Sequence, residues 1–425
     1  MKVFGGNGRR ETNSVHEARA RRASDANDYY IDDYDRGYNT DAPVRRRPVE
    51  APRKKAPQPP MKKKKGKGWL IALLIIAILA ASGIIYWKIT TRPPDTTNVP
   101  ADPNTTPQLT DSPNRVIGRY YTLLVVGIDQ TKTNTDTIMV VRYDAVENKA
   151  NIVSIPRDTL VNVPDKVKKI NAVYSYAESD GKDGIDALMD EVEGICGFRP
   201  DSYVVIDTKV FIQAIDSLGG VYYDVPVDMD YDDYTDDNKD GVAEYVFTIH
   251  VKKGYQLLNG QNALGVFRFR HNNNGTGYAM GDIDRINTQH GLIKAVAQQA
   301  LQLKNATKLI EIAQMVLDNA QTNLTIGNMQ WYAQKFLTMS MDDISMATTP
   351  TTGAWINGLA YVTINVDDWM NIVNQQLNPF KNPISTEDCS IVRQKNPEPT
   401  EKSYTPGNYY TTNGEEVDSN FYKNY

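Results

Sequence analysis

The stretch VFRFRHNNNGTGYAMGDIDR, residues 266–285, closes an apolar run with Arg268 and Arg270, then brings Asp282, Asp284 and Arg285 together after a polar loop. In an extended segment, positions i and i+2 face the same side, so the first two guanidinium groups converge. Arg157 stands just past another apolar strand, in SIPRDTLV. Guanidinium forks match phosphate oxygens bidentately, and converging arginines suggest a clamp for phosphate or pyrophosphate. A solvated basic face is the plainer alternative. Phe267 and Phe269 weaken it, because aromatic rings interleaved with the arginines imply a packed opposite side. Asp282 is a candidate base for a hydroxyl nucleophile.

The acids add a second half to that chemistry. Asp129 ends the strand YYTLLVVGID, Asp136 begins the next, and QTKTNT between them is turn-like. Paired strands lie about 4.8 Å apart, close enough for one hard cation to take an oxygen from each carboxylate. Magnesium is held in this way, by one or two carboxylates plus substrate phosphates. Two solvated loop aspartates are the alternative. Carboxylates, a metal and arginines together are the parts of phosphoryl transfer.

These residues need a scaffold, and its pattern is readable from Tyr120 onward. Strands are expected at YYTLLVVGID, TIMVVRYD, NIVSIPRD, SYVVID and VYYDVPV. Helices are expected at 184–196, at 209–220 with a closing Gly pair, at 281–303, at 306–319 and at 328–340, and LAYVTINVDDWMNIVNQQL reads as a strand running into a helix. Interleaved strands and helices predict an α/β fold, an α-β-α sandwich around a central mixed sheet. The acidic run DMDYDDYTDDNKDG (228–241) lacks the terminal Glu of a calcium loop and reads as a solvated hairpin tip.

The remainder of the 425 residues concerns placement. Residues 1–67 hold 18 Lys+Arg against 9 Asp+Glu, a net +9; the whole chain is −5, so residues 68–425 carry −14. Trp69–Trp87 is an uncharged apolar run long enough to cross a hydrocarbon core of about 30 Å, flanked by Lys62–Lys65 and Lys67. The positive-inside rule puts residues 1–68 in the cytoplasm as a basic disordered tail, residues 69–87 in the membrane, and the rest outside. Residues 88–115 read as a Pro/Thr-rich extracellular linker, 116–382 as the catalytic domain, and 383–425 as a flexible polar tail. The basic arm has no DNA-binding helix beside it, so no nucleic-acid partner is expected. Two cysteines, Cys196 and Cys389, exclude a disulfide framework and leave no ligand set for structural zinc.

The ordered motifs LLVVGID, TDTIMVVRYD, ANIVSIPRDTLVNVP, KINAVYSYA, SYVVIDTKVFIQAIDSLGGVYYDVP, GYQLLNGQNALGVFRFRH and GDIDRINTQHGLIKAV together resemble the LytR-CpsA-Psr family, strongly over about 120–300 and weakly over about 340–378. That resemblance implies a cell-membrane enzyme, single-pass with an extracellular catalytic domain, that transfers a glycopolymer such as teichoic acid from a polyprenyl-pyrophosphate carrier to peptidoglycan, using Mg2+ (or Mn2+). It implies a hydrophobic pocket for the lipid with the pyrophosphate at its mouth. Position by position, it makes Asp129 and Asp136 metal ligands, and Arg157, Arg268, Arg270 and Arg285 the pyrophosphate clamp. Asp282 would orient Arg285 or deprotonate the acceptor, with Arg157, Asp282 and Arg285 as the catalytic set. Lys169 and Asn171 would support the rim.

Three positions depart from the family pattern. Asn134 stands where an arginine is usual, Thr288 where a second arginine often follows, and Val266 where a tyrosine is usual. Asn134 removes a cation from beside the phosphates. A polyprenyl-pyrophosphate hydrolase and a non-catalytic lipid-linked glycan binder or envelope scaffold are the alternative functions.

Overall fold

The computed structural model describes residues 91–96, 114–129, 134–235, 244–279, 282–302, 306–395 and 407–421. All of them belong to one unit, Gly68–Tyr425. The apolar run Trp69–Trp87 lies outside the described residues, and among those described no helix is long and apolar enough to cross a membrane.

In chain order the elements are β1 (Tyr120–Ile128), β2 (Thr135–Asp144), β3 (Lys149–Ile155), α1 (Ile170–Ser179), α2 (Gly184–Cys196), β4 (Ser202–Asp207), α3 (Thr208–Ser217), β5 (Val221–Val225), β6 (Met229–Thr235), β7 (Glu244–Val251) and β8 (Gly254–Leu258). Then follow α4 (Gly260–Arg268), α5 (Asp282–Ala300), α6 (Ala306–Asn319), β9 (Gln321–Thr322), α7 (Ile326–Leu337), β10 (Ile344–Thr348), β11 (Thr351–Ile356), β12 (Leu359–Ile364), α8 (Val366–Ile372), β13 (Val392–Gln394) and β14 (Tyr409–Thr411). Six strands form the central sheet in the order β10-β3-β2-β1-β4-β9. β1 pairs β2 antiparallel and β4 parallel, and β3 pairs β10 parallel, so the sheet is mixed as expected.

Strand periodicity divides the sheet into two faces. Leu124, Val126 and Ile128 of β1, Ile138 and Val140 of β2, and Val153 and Ile155 of β3 are buried in one core with α1, α2 and α8. Full burial of such a side chain stabilises by roughly 1.5–3 kcal/mol relative to exposure. The opposite face carries Tyr121 and Tyr143 beneath α7, where Trp331 lies 4.8 Å and 5.5 Å from the two tyrosine rings. A second core joins β5–β8 to α3, α4 and α5 around Val221, Ile249, Val266, Phe269 and Leu292.

Local chemistry fixes the helix ends. Asp183 caps α2 by accepting from the N–H groups of Ile185 and Asp186, and Gly197 ends it in the left-handed region at φ 73°. Gly260 opens α4 where a Cβ would stand 2.3 Å from the Ile212 carbonyl oxygen of α3, so only glycine allows that approach.

Two expectations are corrected, the strand at VFRFR and the flexible C-terminal tail, and one helix was not foreseen. VFRFR is the end of helix α4, not a strand: Asn259 caps it, Ala263, Leu264 and Val266 bury its inner side, and Phe269 leaves it in extended geometry at ψ 139°. Alternating β-formers mimicked a strand, and packing against α3 and β7 decided otherwise. KINAVYSYA forms α1, which was not expected. The described part of 383–425 is packed rather than flexible: β13 pairs β14, and Tyr409, Val417 and Phe421 are buried with Leu160, Ile356 and Tyr361. In the linker, the Arg92 carbonyl accepts a hydrogen bond from Asn328 Nδ2 of α7.

Candidate functional site

Asp136 lies at a break in strand register. Gly127 pairs with Thr137 and Ile128 with Thr135, so Asp136 is the extra residue of a bulge, a device that re-aims a side chain. Its carboxylate accepts from Arg157 Nη1 at 2.8 Å, and Arg268 Nη2 lies 3.9 Å away. Asp129 follows β1 on the neighbouring strand, and its N–H bonds the Asn134 carbonyl at 3.3 Å, closing the turn. The two acids therefore leave adjacent strands at one sheet end. Among the described residues no three His, Cys, Asp or Glu converge as a cation cage. Two carboxylates beside an arginine-lined cavity instead fit a cation that would draw its remaining oxygens from phosphates and water.

Arg157 is positioned by a tight turn after β3, in which Thr159 N–H and Oγ1 both reach the Pro156 carbonyl. Lys169 and Asn171 support that turn in different ways. Lys169 Nζ bonds Asp158 at 2.7 Å, next to Arg157. Asn171 is buried and acts through its backbone: its N–H bonds the Arg157 carbonyl, and its carbonyl accepts from Thr135 Oγ1 beside Asp136. The C-terminal segment backs the preceding residue. Lys168 is fully buried, faces Asp418 at 3.5 Å, and lies 5.2 Å from the Phe421 ring. Burial lowers its pKa, opposed by Asp418.

Arg268 and Arg270 reach the site from the end of α4, and Arg285 from the first turns of α5. All three line one cavity of about 260 Å³ together with Arg157, His271, Gln289, Asp136 and Asp233, and with Tyr231, Phe247, Ile249 and Phe267. Arg268 lies over the Phe247 ring, 4.7 Å from its centroid, an arrangement that holds a guanidinium and strengthens as water is excluded. Arg285 is buried and Arg270 exposed. Asp282 opens α5, and its side chain lies outside the described residues.

A second cavity of about 210 Å³ adjoins the first. It lies between the less buried face of the sheet (Val125, Met139, Ile206) and Phe211, Leu264, Phe267 and Ile293 of α3, α4 and α5. Asp136, Phe267 and Arg268 line both cavities. A cationic chamber thus opens beside an apolar one.

Sequence reasoning missed Gln289, Phe247, Tyr231 and Asp233. Gln289 was findable: it lies four residues after Arg285, on the same helix face. Its Nε2 donates to the Phe267 carbonyl at 3.0 Å, tying α5 to α4. The hairpin residues gave no signal, because β6 and β7 are remote in sequence from every arginine. His290 joins α5 to β3 through a 3.0 Å hydrogen bond with Ser154 Oγ, and burial lowers its pKa, helped by Lys294. Thr288 lies in neither cavity: it is buried, and its carbonyl accepts from the Tyr223 hydroxyl. Val266 is core, and Asn134 is exposed at the turn. The polar loop after Arg270 is tied down. Asn272 and Asn273 side chains accept from the N–H groups of Asp230 and Asp232, both at 2.7 Å, extending the edge of β6.

The fold and site define an α/β protein with an arginine-lined cavity beside an apolar one. The LytR_cpsA_psr family model matches residues 98–378 of this chain, and the chain belongs to that family. It is 29% identical over 306 residues to an uncharacterized protein of Staphylococcus aureus, covering 66% of this chain and 69% of that one. It is 26% identical over 324 residues to the polyisoprenyl-teichoic acid–peptidoglycan teichoic acid transferase TagU of Oceanobacillus iheyensis, covering 74% of this chain and 94% of the relative. Among solved structures, the crystal structure of B. subtilis TagV matches with a TM-score of 0.48 at 25% identity, over 60% of this chain and 94% of that one.

Proposed function

We propose that this protein is a membrane-anchored phosphotransferase that moves a glycopolymer from a polyprenyl-pyrophosphate carrier onto peptidoglycan. The observation that carries this reading is the junction of an arginine-lined cavity and an apolar cavity at Asp136, Phe267 and Arg268. A prenyl pyrophosphate has the same two halves, an isoprenoid chain and a dianionic head. Family membership and the names of the relatives support the transfer reaction. Helices on both faces of the mixed sheet support the α-β-α sandwich.

In this mechanism Arg157, Arg268, Arg270 and Arg285 hold the pyrophosphate and take up charge as the bond to the leaving phosphate lengthens. The family resemblance gives Asp282 the role of orienting Arg285. Lys169 and Asn171 keep the Arg157 turn in place. Asp129 and Asp136 would hold Mg2+ (or Mn2+), which supplies positive charge to the phosphate oxygens. The isoprenoid lies against Val125, Leu264 and Ile293. Trp69–Trp87 is the anchor, with Lys62–Lys65 on the cytoplasmic side and the catalytic domain outside.

The test uses the full chain in detergent, a lipid-pyrophosphate glycan, magnesium and peptidoglycan fragments. Coupled product is expected. Free phosphate alone would point to hydrolysis, and binding without turnover to a glycan binder. Arg268→Ala and Asp136→Ala should each abolish coupling while melting temperatures stay within a few degrees. Full activity in both variants would sink the site assignment.

A further inference from the structure

We propose that Asp233 takes the proton from the acceptor hydroxyl in this reaction. The inference rests on the phosphotransfer reading above, and its starting point is the β6–β7 hairpin. In register, Met229, Tyr231 and Asp233 of β6 face Val251, Ile249 and Phe247 of β7. Met229, Ile249 and Val251 are buried, and Tyr231 and Phe247 pack against the same core. Asp233 is therefore the one charged side chain among these six, on a face that is otherwise apolar.

That face opens into the arginine cavity, which Asp233 lines with Arg157, Arg268 and Arg285. The other acids nearby have cationic or hydrogen-bonding partners. Asp136 is bonded to Arg157, and Asp230 and Asp232 lie 2.7 Å and 3.2 Å from the two ring nitrogens of His250. Among the described residues no Lys, Arg or His comes within 4.0 Å of the Asp233 carboxylate, whereas Asp136 has two. A carboxylate facing a bound pyrophosphate repels it and weakens binding. Its place is explained if the negative charge acts on the third component, a neutral hydroxyl that must lose a proton.

The step balances. The acceptor O–H proton moves to an Asp233 oxygen as the freed hydroxyl oxygen bonds phosphorus. The bond from that phosphorus to the bridging oxygen breaks, and the electron pair leaves with polyprenyl phosphate, whose charge the arginines hold. Tyr231 and Phe247 are the neighbours of Asp233 on this face of the hairpin and line the same cavity.

The experiment measures the full chain with the lipid-pyrophosphate glycan and peptidoglycan fragments across pH. Asp233→Asn should lower kcat by about 10²–10⁴-fold, the usual contribution of a positioned base, and erase the acidic limb of the kcat profile. Its affinity for the lipid-pyrophosphate should stay level or rise, since a like charge is gone. Asp233→Glu should recover part of the rate. Wild-type-like kcat in Asp233→Asn, or weaker lipid binding with kcat unchanged, would overturn the assignment and leave the transfer reading standing. Loss of the acidic limb in Asp282→Asn instead would place the base on α5. A wild-type chain that binds but never couples would remove both readings together.

Discussion

The two faces of β1 are built from the same residue types and serve opposite ends. Leu124 and Val126 are fully buried under α1, α2 and α8. Val125, between them, is half-buried and lines an apolar cavity beneath α3, α4 and α5. On one face the helices close down on the sheet; on the other they stand off and leave about 210 Å³. Close packing is the default for protein interiors, so an apolar cavity beside a cluster of cations is a property of where these helices sit. Two hydrogen bonds fix α5 in its place, one from Gln289 to α4 and one between His290 and β3.

The two faces should differ most in what they contribute to stability. Leu124→Ala should cost about 2–5 kcal/mol, read as a fall in the urea midpoint, because it cuts a hole in a closed core. Val125→Ala should cost under about 1 kcal/mol, because its side chain already borders open space. Equal losses would show that the two faces are packed alike. Next in size is function: Val125→Trp should fill the apolar cavity and lower kcat/KM for a long-chain prenyl pyrophosphate by about 10–100-fold, a cost of the size of one or two misfit contacts. A short-chain analogue should be used as before, and equal losses for both chains would put the lipid elsewhere.

Asn134→Arg sharpens the cationic side. Restoring a guanidinium at the exposed turn should tighten pyrophosphate binding by several-fold at low salt, with the gain shrinking as salt rises. The smallest effect concerns His290. Its native pKa lies below the ordinary value, chiefly through burial, so the unfolded chain takes up a proton first as pH falls. The stability from a neutral His290 is thus complete above about pH 6.5 and is lost as pH drops from there toward the native value. His290→Gln should flatten that part of the melting curve series between pH 7.5 and 5.5. An unchanged slope would assign the acid sensitivity to other groups.

Much of the site was legible because its chemistry is written in charged residues. Arg157, Arg268, Arg270, Arg285 and Asp136 were singled out by type and neighbourhood, and all five line one cavity. The route by which two of them arrive was not legible. Arg268 and Arg270 converge because a helix ends between them, and strand alternation plays no part. A Val-Phe-Arg-Phe-Arg run satisfies both patterns locally, and only the close approach of Gly260 to the Ile212 backbone and contact with Ile249 and the rest of the second core select the helix. The C-terminal residues misled in the opposite direction. Their polar composition hides Tyr409, Val417 and Phe421, three apolar anchors whose partners Leu160, Ile356 and Tyr361 stand far away in the chain.

The sequence by itself determined the mixed α/β pattern, the cations and the carboxylate at the end of paired strands, since periodicity and residue type are local properties. The tertiary structure alone decided which strand face stays open, where Arg268 points and that Asp233 enters the cavity. Those depend on the separation of helices α3, α4 and α5 from the sheet and on the register of the β6–β7 hairpin, quantities set by side chains dozens of residues away.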